Sequence, residues 1–269
     1  MSILAATCAT LSSMLALAQP GDTVTLGGEC ERVVIANVYE RRVRLDARKA
    51  VVRGLKITGA NLTVLGGVYG AISGMDGFAT DGYAIDIRGA RDIRVTGALV
   101  TDAKKGIVLT AARNISIDGN RFWRLREDGI IATRTENLAI DRNRFTDFMP
   151  RKTQCTPADG VVQWGVAKRD CLGVFIDGNH ADAVQFYNAM VNVRVRWNYI
   201  AGDMQGIGEF GGAGDVVSFR VLIEGNTVAG SQAHQITLYD CRECRIERNV
   251  VRRGDPLRRA VIRPGSATT

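Results

Sequence analysis

Apolar and polar residues alternate along this chain in short runs, and one run keeps returning. It reads Asn-Ile-Ser-Ile-Asp-Gly-Asn-Arg-Phe at Asn114–Phe122 and Asn-Leu-Ala-Ile-Asp-Arg-Asn-Arg-Phe at Asn137–Phe145. It returns as Val-Asn-Val-Arg-Val-Arg-Trp-Asn-Tyr at Val191–Tyr199, with looser copies at Arg220–Val228 and Glu243–Val251. The shared frame is an apolar residue, an outward residue, an apolar residue, two polar or Gly residues, then Asn. The Asn column is Asn120, Asn143, Asn198, Asn226 and Asn249, with steps of 23, 55, 28 and 23 residues. A fixed period with insertions hung on it is the signature of a solenoid.

A second phrase, Gly or Ala followed by apolar-x-apolar, shares the period. It occurs at Ala84–Ile87, Gly106–Leu109, Gly129–Ala132, Ala183–Phe186, Gly206–Ile207 and Ala260–Ile262, and Gln235–Leu238 fills the same place. Alternation with a period of two predicts strands, not helices. Like strands of successive repeats must then stack in parallel, about 4.8 Å apart. The predicted fold is all-β, a right-handed single-stranded parallel β-helix. The Asn column predicts an internal ladder, in which each amide bonds the coils above and below. Thr10–Ala18 reads as an amphipathic helix ahead of a Pro20-Gly21 turn. This predicts an N-terminal cap over 1–22 that covers an otherwise open sheet edge. Coils are expected over 23–263, with an inserted loop at 151–172 and a tail at 264–269, all in one domain.

Charge and cysteines narrow the setting. The 269 residues carry a net charge of +7, and 29 of the 35 basic residues are Arg. That balance suits a protein attracted to polyanions. No stretch reaches the length of a membrane span. The first 31 residues hold no Lys or Arg, so the basic start of a secretory signal is not seen. A signal already removed, or exit inside a virion, is expected. The six Cys fall into local pairs, Cys8 with Cys30, Cys155 with Cys171, and Cys241 with Cys244. Disulfides are expected in the first two, and with them an extracellular, periplasmic or virion location. Cys241 and Cys244 form a lone C-x-x-C, a weak zinc signal. Cys244 falls on an inward strand position, so a buried thiol is expected there.

Stacking turns a column of sequence into a stripe of surface. Two residues before the first apolar residue of each short strand, the column reads Tyr83, Lys105, Asp128, Asp182, Gln205, His234, Arg259. One residue after it, facing outward, come Asp86, Val108, Ile131, Gln185, Gly208, Thr237 and Ile262. The only two His, His180 and His234, thus fall within about two coils, roughly 10–15 Å apart. Insertions point to the same place. Asn143 to Val184 takes 41 residues where ordinary repeats take 10, and a second insertion follows Glu209. Insertions in repeat proteins gather on the functional face. Trp164, flanked by Lys168 and Arg169, reads as a sugar-stacking platform or as a loop-packing residue.

These residue types allow two chemistries. A polysaccharide lyase needs cations for a uronate carboxylate and a base for its C5 proton. His180, His234, Lys105 and Arg259 supply them. A glycoside hydrolase needs two carboxyl groups, which Asp128 and Asp182 supply. The same pair is a candidate calcium site, while Asp128-Gly129 also reads as a plain turn.

The Asn phrases resemble the repeats of the pectate-lyase-like superfamily over Val24–Arg263. The stretches His180–Gln185, Gln205–Ile207 and His234–Ile236 are similar to β-helix proteins of α-proteobacteria and their phages, tailspikes among them. The resemblance implies His180, Asp182, Gln185, Gln205 and His234 as site residues. It implies a polysaccharide as partner, not nucleic acid or membrane, and a homotrimer if the tailspike likeness extends that far. The calcium-site pattern of pectate lyases, the residue series of polygalacturonases and the Asp-Pro-His-Asp of alginate epimerases are not found. The expected function is a depolymerase of an acidic glycan, by β-elimination or hydrolysis, with epimerisation sharing the lyase's proton abstraction. The alternative is a non-catalytic carbohydrate-binding or virion module.

Overall fold

The alternation is realised as three stacks of parallel strands around an apolar interior. The computed structural model describes residues 2–70, 82–150, 152–154, 175–177, 181–188, 190–209, 217–231, 234–238, 241–252 and 262–264. The first sheet stacks Tyr83–Arg88, Lys105–Thr110, Ile130–Thr133, Asp182–Tyr187, Gln205–Glu209, Ile236–Leu238 and Ile262–Pro264. The second stacks Ala60–Leu65, Arg91–Thr96, Arg113–Asp118, Glu136–Asp141, Val191–Arg196, Ser218–Glu224 and Arg245–Glu247. The third stacks Val68–Gly70, Leu99–Thr101, Arg121–Trp123, Arg144–Thr146, Tyr199–Gly202, Thr227–Gly230 and Val250–Val251. Every pairing in these stacks is parallel, and the chain is a right-handed parallel β-helix as expected. In the first coils, Thr23–Ile35 and Val38–Ile57 run as long strands and pair with each other along most of their length. Lys152–Gln154 and Phe175–Asp177 form a separate antiparallel pair.

Register converts the period into columns of like side chains. Ile85, Ile107, Ile130, Val184, Ile207 and Ile236 lie one above another and are buried. Phe122 and Phe145 stack with ring centroids 4.5 Å apart. Each such side chain contributes about 1.5–3 kcal/mol by leaving water.

The Asn ladder is present and internal. Asn143 Oδ1 accepts from the backbone N–H and side-chain amide of Asn120, at 2.9 and 3.0 Å. Asn198 does the same for Asn143, Asn226 for Asn198, and Asn249 for Asn226. The residue before each ladder Asn takes positive φ, as at Gly119, Arg142, Trp197, Gly225 and Arg248. A second ladder, which the sequence reading passed over, runs along an exposed corner. Asn192 donates to Asn137, Asn137 to Asn114, and Asn114 to Asp92. All four take φ between 54 and 58°, a conformation that Asn and Asp tolerate better than other non-Gly residues.

The N-terminal cap contains the expected helix, Leu11–Leu17, with Leu11 and Leu15 buried one turn apart. Tyr39 donates its hydroxyl to the Leu15 carbonyl at 2.9 Å. An unpredicted strand, Ile3–Ala6, precedes the helix and pairs in parallel with Thr23–Leu26. The Asp22 carboxylate ties the cap together by accepting the Ser2 and Gln19 N–H groups.

Cys8 and Cys30 form the expected disulfide, with Cα atoms 5.4 Å apart. Cys241 and Cys244 are also bonded, which corrects the expected buried thiol. The reason is geometric. A turn separates the short strands Cys241–Arg242 and Arg245–Glu247, and it brings the two Cα atoms to 5.9 Å, within bonding reach. Cys155 and Cys171 lie outside the described residues.

Candidate functional site

The stacked column of the first sheet is built as the alignment predicts through six positions. Tyr83 pairs with Lys105, and Asp182 with Gln205. Between them, the Gly106 N–H donates to the Asp128 carbonyl and the Gly129 N–H to the Asp182 carbonyl. The Gly206 N–H donates to the His234 carbonyl, which puts His234 next to Gln205. The Gly or Ala after each column position except His234 permits this close approach. A Cβ on Gly206 would fall 1.9 Å from the Gln235 carbonyl oxygen. At the far end the alignment slips by one. Ile236 pairs with Ile262, where the alignment had set Val261, so Thr237 faces Arg263 instead of Ile262. Arg259 itself lies outside the described residues, as do His180, Trp164 and the loop between Cys155 and Cys171.

The middle of the strip is buried where an open stripe was expected, while Tyr83, Lys105 and His234 are half-buried. Asp182 is 0% exposed, Gln185 2%, Gln205 5% and Asp128 5%. On the outward column, Val108, Ile131 and Thr237 are buried too. Two amide atoms in this setting, Gln185 Nε2 and Gln205 Oε1, have no hydrogen-bond partner among the described residues. Buried amide groups are seldom left so, because each costs about 1–3 kcal/mol.

Asp128 joins two coils. Its Oδ1 accepts the Asp182 N–H at 3.0 Å, and its Oδ2 lies 3.8 Å from Lys105 Nζ. Lys105 also lies 3.4 Å from Glu127, which Lys104 approaches equally closely. Lys105 is thus already engaged by carboxylates of this chain, and Asp128 does more than shape a turn. Among the described residues no three carboxylate, His or Cys side chains gather as metal ligands.

His234 is half-buried, and its Nδ1 lies 3.4 Å from the Thr237 hydroxyl. The turn before it is held by Gln235, whose side chain both accepts the Gly230 N–H and donates to the Gly230 carbonyl, each at 2.9 Å. Gln235 is a positioning residue that the sequence columns did not single out. Glu209 is buried at the register position of Phe186 and accepts the Ser218 hydroxyl, which in turn accepts the Met190 N–H. This partner ties Glu209 to the second sheet.

Tyr187 was also missed. It ends the strand that carries Asp182 and Gln185, with the same outward parity as Gln185. Burial, and then the negative charges of Asp128 and Asp182, push its phenol up to about 12. Tyr187 therefore shares an electrostatic neighbourhood with both carboxylates and keeps its proton at neutral pH. Its position two residues after Gln185 was the available signal.

A family profile described as the right handed beta helix region matches residues 50–161, less than half of the chain. None of the curated proteins compared with it matches. Among solved structures, the catalytic domain of a GH87 alpha-1,3-glucanase in complex with nigerose aligns at 14% identity with a TM-score of 0.46. That alignment covers 90% of this chain and 58% of the glucanase domain. An alginate lyase from Paenibacillus sp. str. FPU-7 aligns at 14% identity and a TM-score of 0.38, covering 98% of this chain and 99% of the lyase. A mannuronic acid specific family 6 lyase from human gut microbiota aligns at 14% identity and 0.36, covering 94% and 83%. Scores this low carry no argument about the site, and the fold rests on the chain's own registers.

Proposed function

We propose that the chain acts on a polysaccharide, depolymerising an acidic glycan at the first-sheet strip. Glucanase and lyase activities belong to the proteins so named, and the reading here rests on the strip itself. The observation that carries it is the shared register of Asp182, Gln205 and His234, with Gln185 and Tyr187 on the Asp182 strand and two buried amide atoms without partners among the described residues. Sugar hydroxyls both donate and accept, so they complement Gln185 and Gln205. Elimination is the chemistry this arrangement supports best. His234 takes the C5 proton, the bond from C4 to the glycosidic oxygen breaks, and Tyr187, still protonated, supplies a proton to the leaving oxygen. His180 is the second candidate base, Arg259 the cation for the substrate carboxylate, with Lys105 serving only if it leaves Glu127 and Asp128, and Trp164 the stacking platform. Hydrolysis by Asp128 and Asp182 is less favoured, because Asp128 is occupied by Lys105 and the Asp182 amide.

A second reading is a non-catalytic carbohydrate-binding module. The burial of Asp182 and Gln185 favours it, since catalysis there needs a substrate in contact with side chains that water does not reach. The two disulfides suit an extracellular or periplasmic location under either reading. Incubation with a panel of acidic and neutral glycans decides between them. Unsaturated ends seen by ultraviolet absorbance support elimination, and new reducing ends without them support hydrolysis. Binding without either product replaces the enzyme with the module.

A further inference from the structure

The outer face of the third sheet carries a feature that the first-sheet strip does not use. Leu99, Arg121, Arg144, Tyr199 and Thr227 stack in register along it. Arg121 and Arg144 are directly opposed, and like charges so placed cost stability. Neither has a carboxylate partner among the described residues. Instead, Arg144 lies over the Tyr199 ring at 4.4 Å and Arg121 over the Trp123 ring at 5.4 Å. Tyr199 is 40% exposed, and the neighbouring Trp197 48%. A guanidinium held over a ring keeps N–H edges open for bidentate contacts. Neither nearby carboxylate pairs with these two arginines. Asp118 is shared by Arg94 and Arg142, and Asp147 is tied to the Trp123 indole.

We infer that this face is a second binding surface, separate from the first-sheet strip, which holds an anionic polysaccharide through the stacked guanidiniums of Arg121 and Arg144. Their spacing follows the strand stack, about 4.8 Å, so a chain lying along the helix axis meets one cation on each of these two coils. Charge complementarity selects an anionic polymer, because a neutral one would leave the opposed cations uncompensated. A glycan suits the face better than a nucleic acid. Single strands are held largely by stacking bases on open aromatic faces, but Arg144 takes one face of Tyr199 and Arg196 lies 4.3 Å over Trp197. Disulfide formation also places the chain where anionic glycans are the abundant polyanions. The inference stands whether or not the strip is catalytic.

The test is binding of the full chain to polygalacturonate, with dextran and a single-stranded oligonucleotide as comparisons. The expected result is salt-sensitive binding to polygalacturonate and none to dextran. A double variant, Arg121→Gln with Arg144→Gln, should bind about tenfold or more weaker, since two charge-assisted contacts are lost. Arg113→Gln, an exposed cation on the second sheet and outside both sites, should bind as the unmodified protein does. In that unmodified protein, the Arg121 and Arg144 side-chain N–H resonances should shift on adding polygalacturonate oligosaccharides, a reading that needs no variant to fold. Unchanged affinity in the double variant, unmoved arginine resonances, or tighter binding to the oligonucleotide would each overturn the inference. So would an equal loss of binding in Arg113→Gln with Arg121 and Arg144 intact. Because binding is read without turnover, absence of cleavage refutes only the depolymerase reading.

Discussion

Removing one rung of the Asn ladder should cost more than any surface substitution, and Asn198→Ala is the sharpest case. Asn198 Oδ1 accepts the Asn143 N–H at 2.8 Å and the Asn143 side-chain amide at 3.0 Å. Its Nδ2 donates to the Ile140 carbonyl and to Asn226 Oδ1, both at 2.9 Å. The residue is 1% exposed, so water does not readily replace these partners. Each lost bond removes about 0.5–1.5 kcal/mol net, and orphaning the buried Asn143 N–H adds about 1–3 kcal/mol. Asn143 keeps its second bond, to the Ile117 carbonyl, which limits the damage. The expected loss is therefore about 3–5 kcal/mol. Asn198→Asp at neutral pH should be worse still, because a carboxylate oxygen would face the Ile140 carbonyl and Asn226 Oδ1. Asn249→Ala should cost only about 1–2 kcal/mol, since the end of the ladder is half-buried and partly open to water. Urea denaturation followed by circular dichroism gives the total. Solenoids need not unfold in one step, so hydrogen exchange at the Asn143 amide supplies the local reading. A loss below about 1 kcal/mol for Asn198→Ala, or unchanged protection of the Asn143 amide, would refute the ladder as a source of stability.

The remaining predictions concern the site, the cap and the cysteines. On a glycan that the protein cleaves, His234→Ala and Tyr187→Phe should each lower kcat by about a hundredfold or more with little change in Tm; full activity in both would place the chemistry elsewhere. The Tyr187 phenol should ionise near pH 12 in an ultraviolet titration, and Asp128→Asn should move it downward. Any stability it contributes is complete below its unfolded value near 10 and is lost as pH rises through about 12. The Ser2 and Gln19 N–H groups hold the Asp22 carboxylate below its ordinary 3.8, so its contribution is complete above that value and fades as pH falls through the depressed one. The Gln19 amide resonance should report this titration, and a resonance that shifts identically in Asp22→Asn would contradict it. Thiol titration of native protein purified without reductant should find at most two of the six Cys reactive; six reactive thiols would contradict both disulfides.

The sequence by itself determined the fold of this chain. Each coil pairs with the next in register, so a column in the alignment is a column in space, and strand alternation sets which side faces in. The same logic placed Lys105, Asp128, Asp182, Gln205 and His234 on one strip. It failed at the last coil, where nothing local separated Val261 from Ile262 as the partner of Ile236. Only the tertiary structure decided what lies across the columns. Burial of the strip depends on what covers the first sheet, which has no period to read. The Cys241–Cys244 bond depends on the turn between two short strands, and the tie from Glu209 to Ser218 crosses from one sheet to the next. The rise in the Tyr187 pKa comes first from burial and then from the charges of Asp128 and Asp182, 59 and 5 residues earlier in the chain. Periodicity encodes contacts between equivalent positions of successive coils. Contacts between different positions, on different sheets or at different depths, are written nowhere in the repeat and follow only from the closed shape.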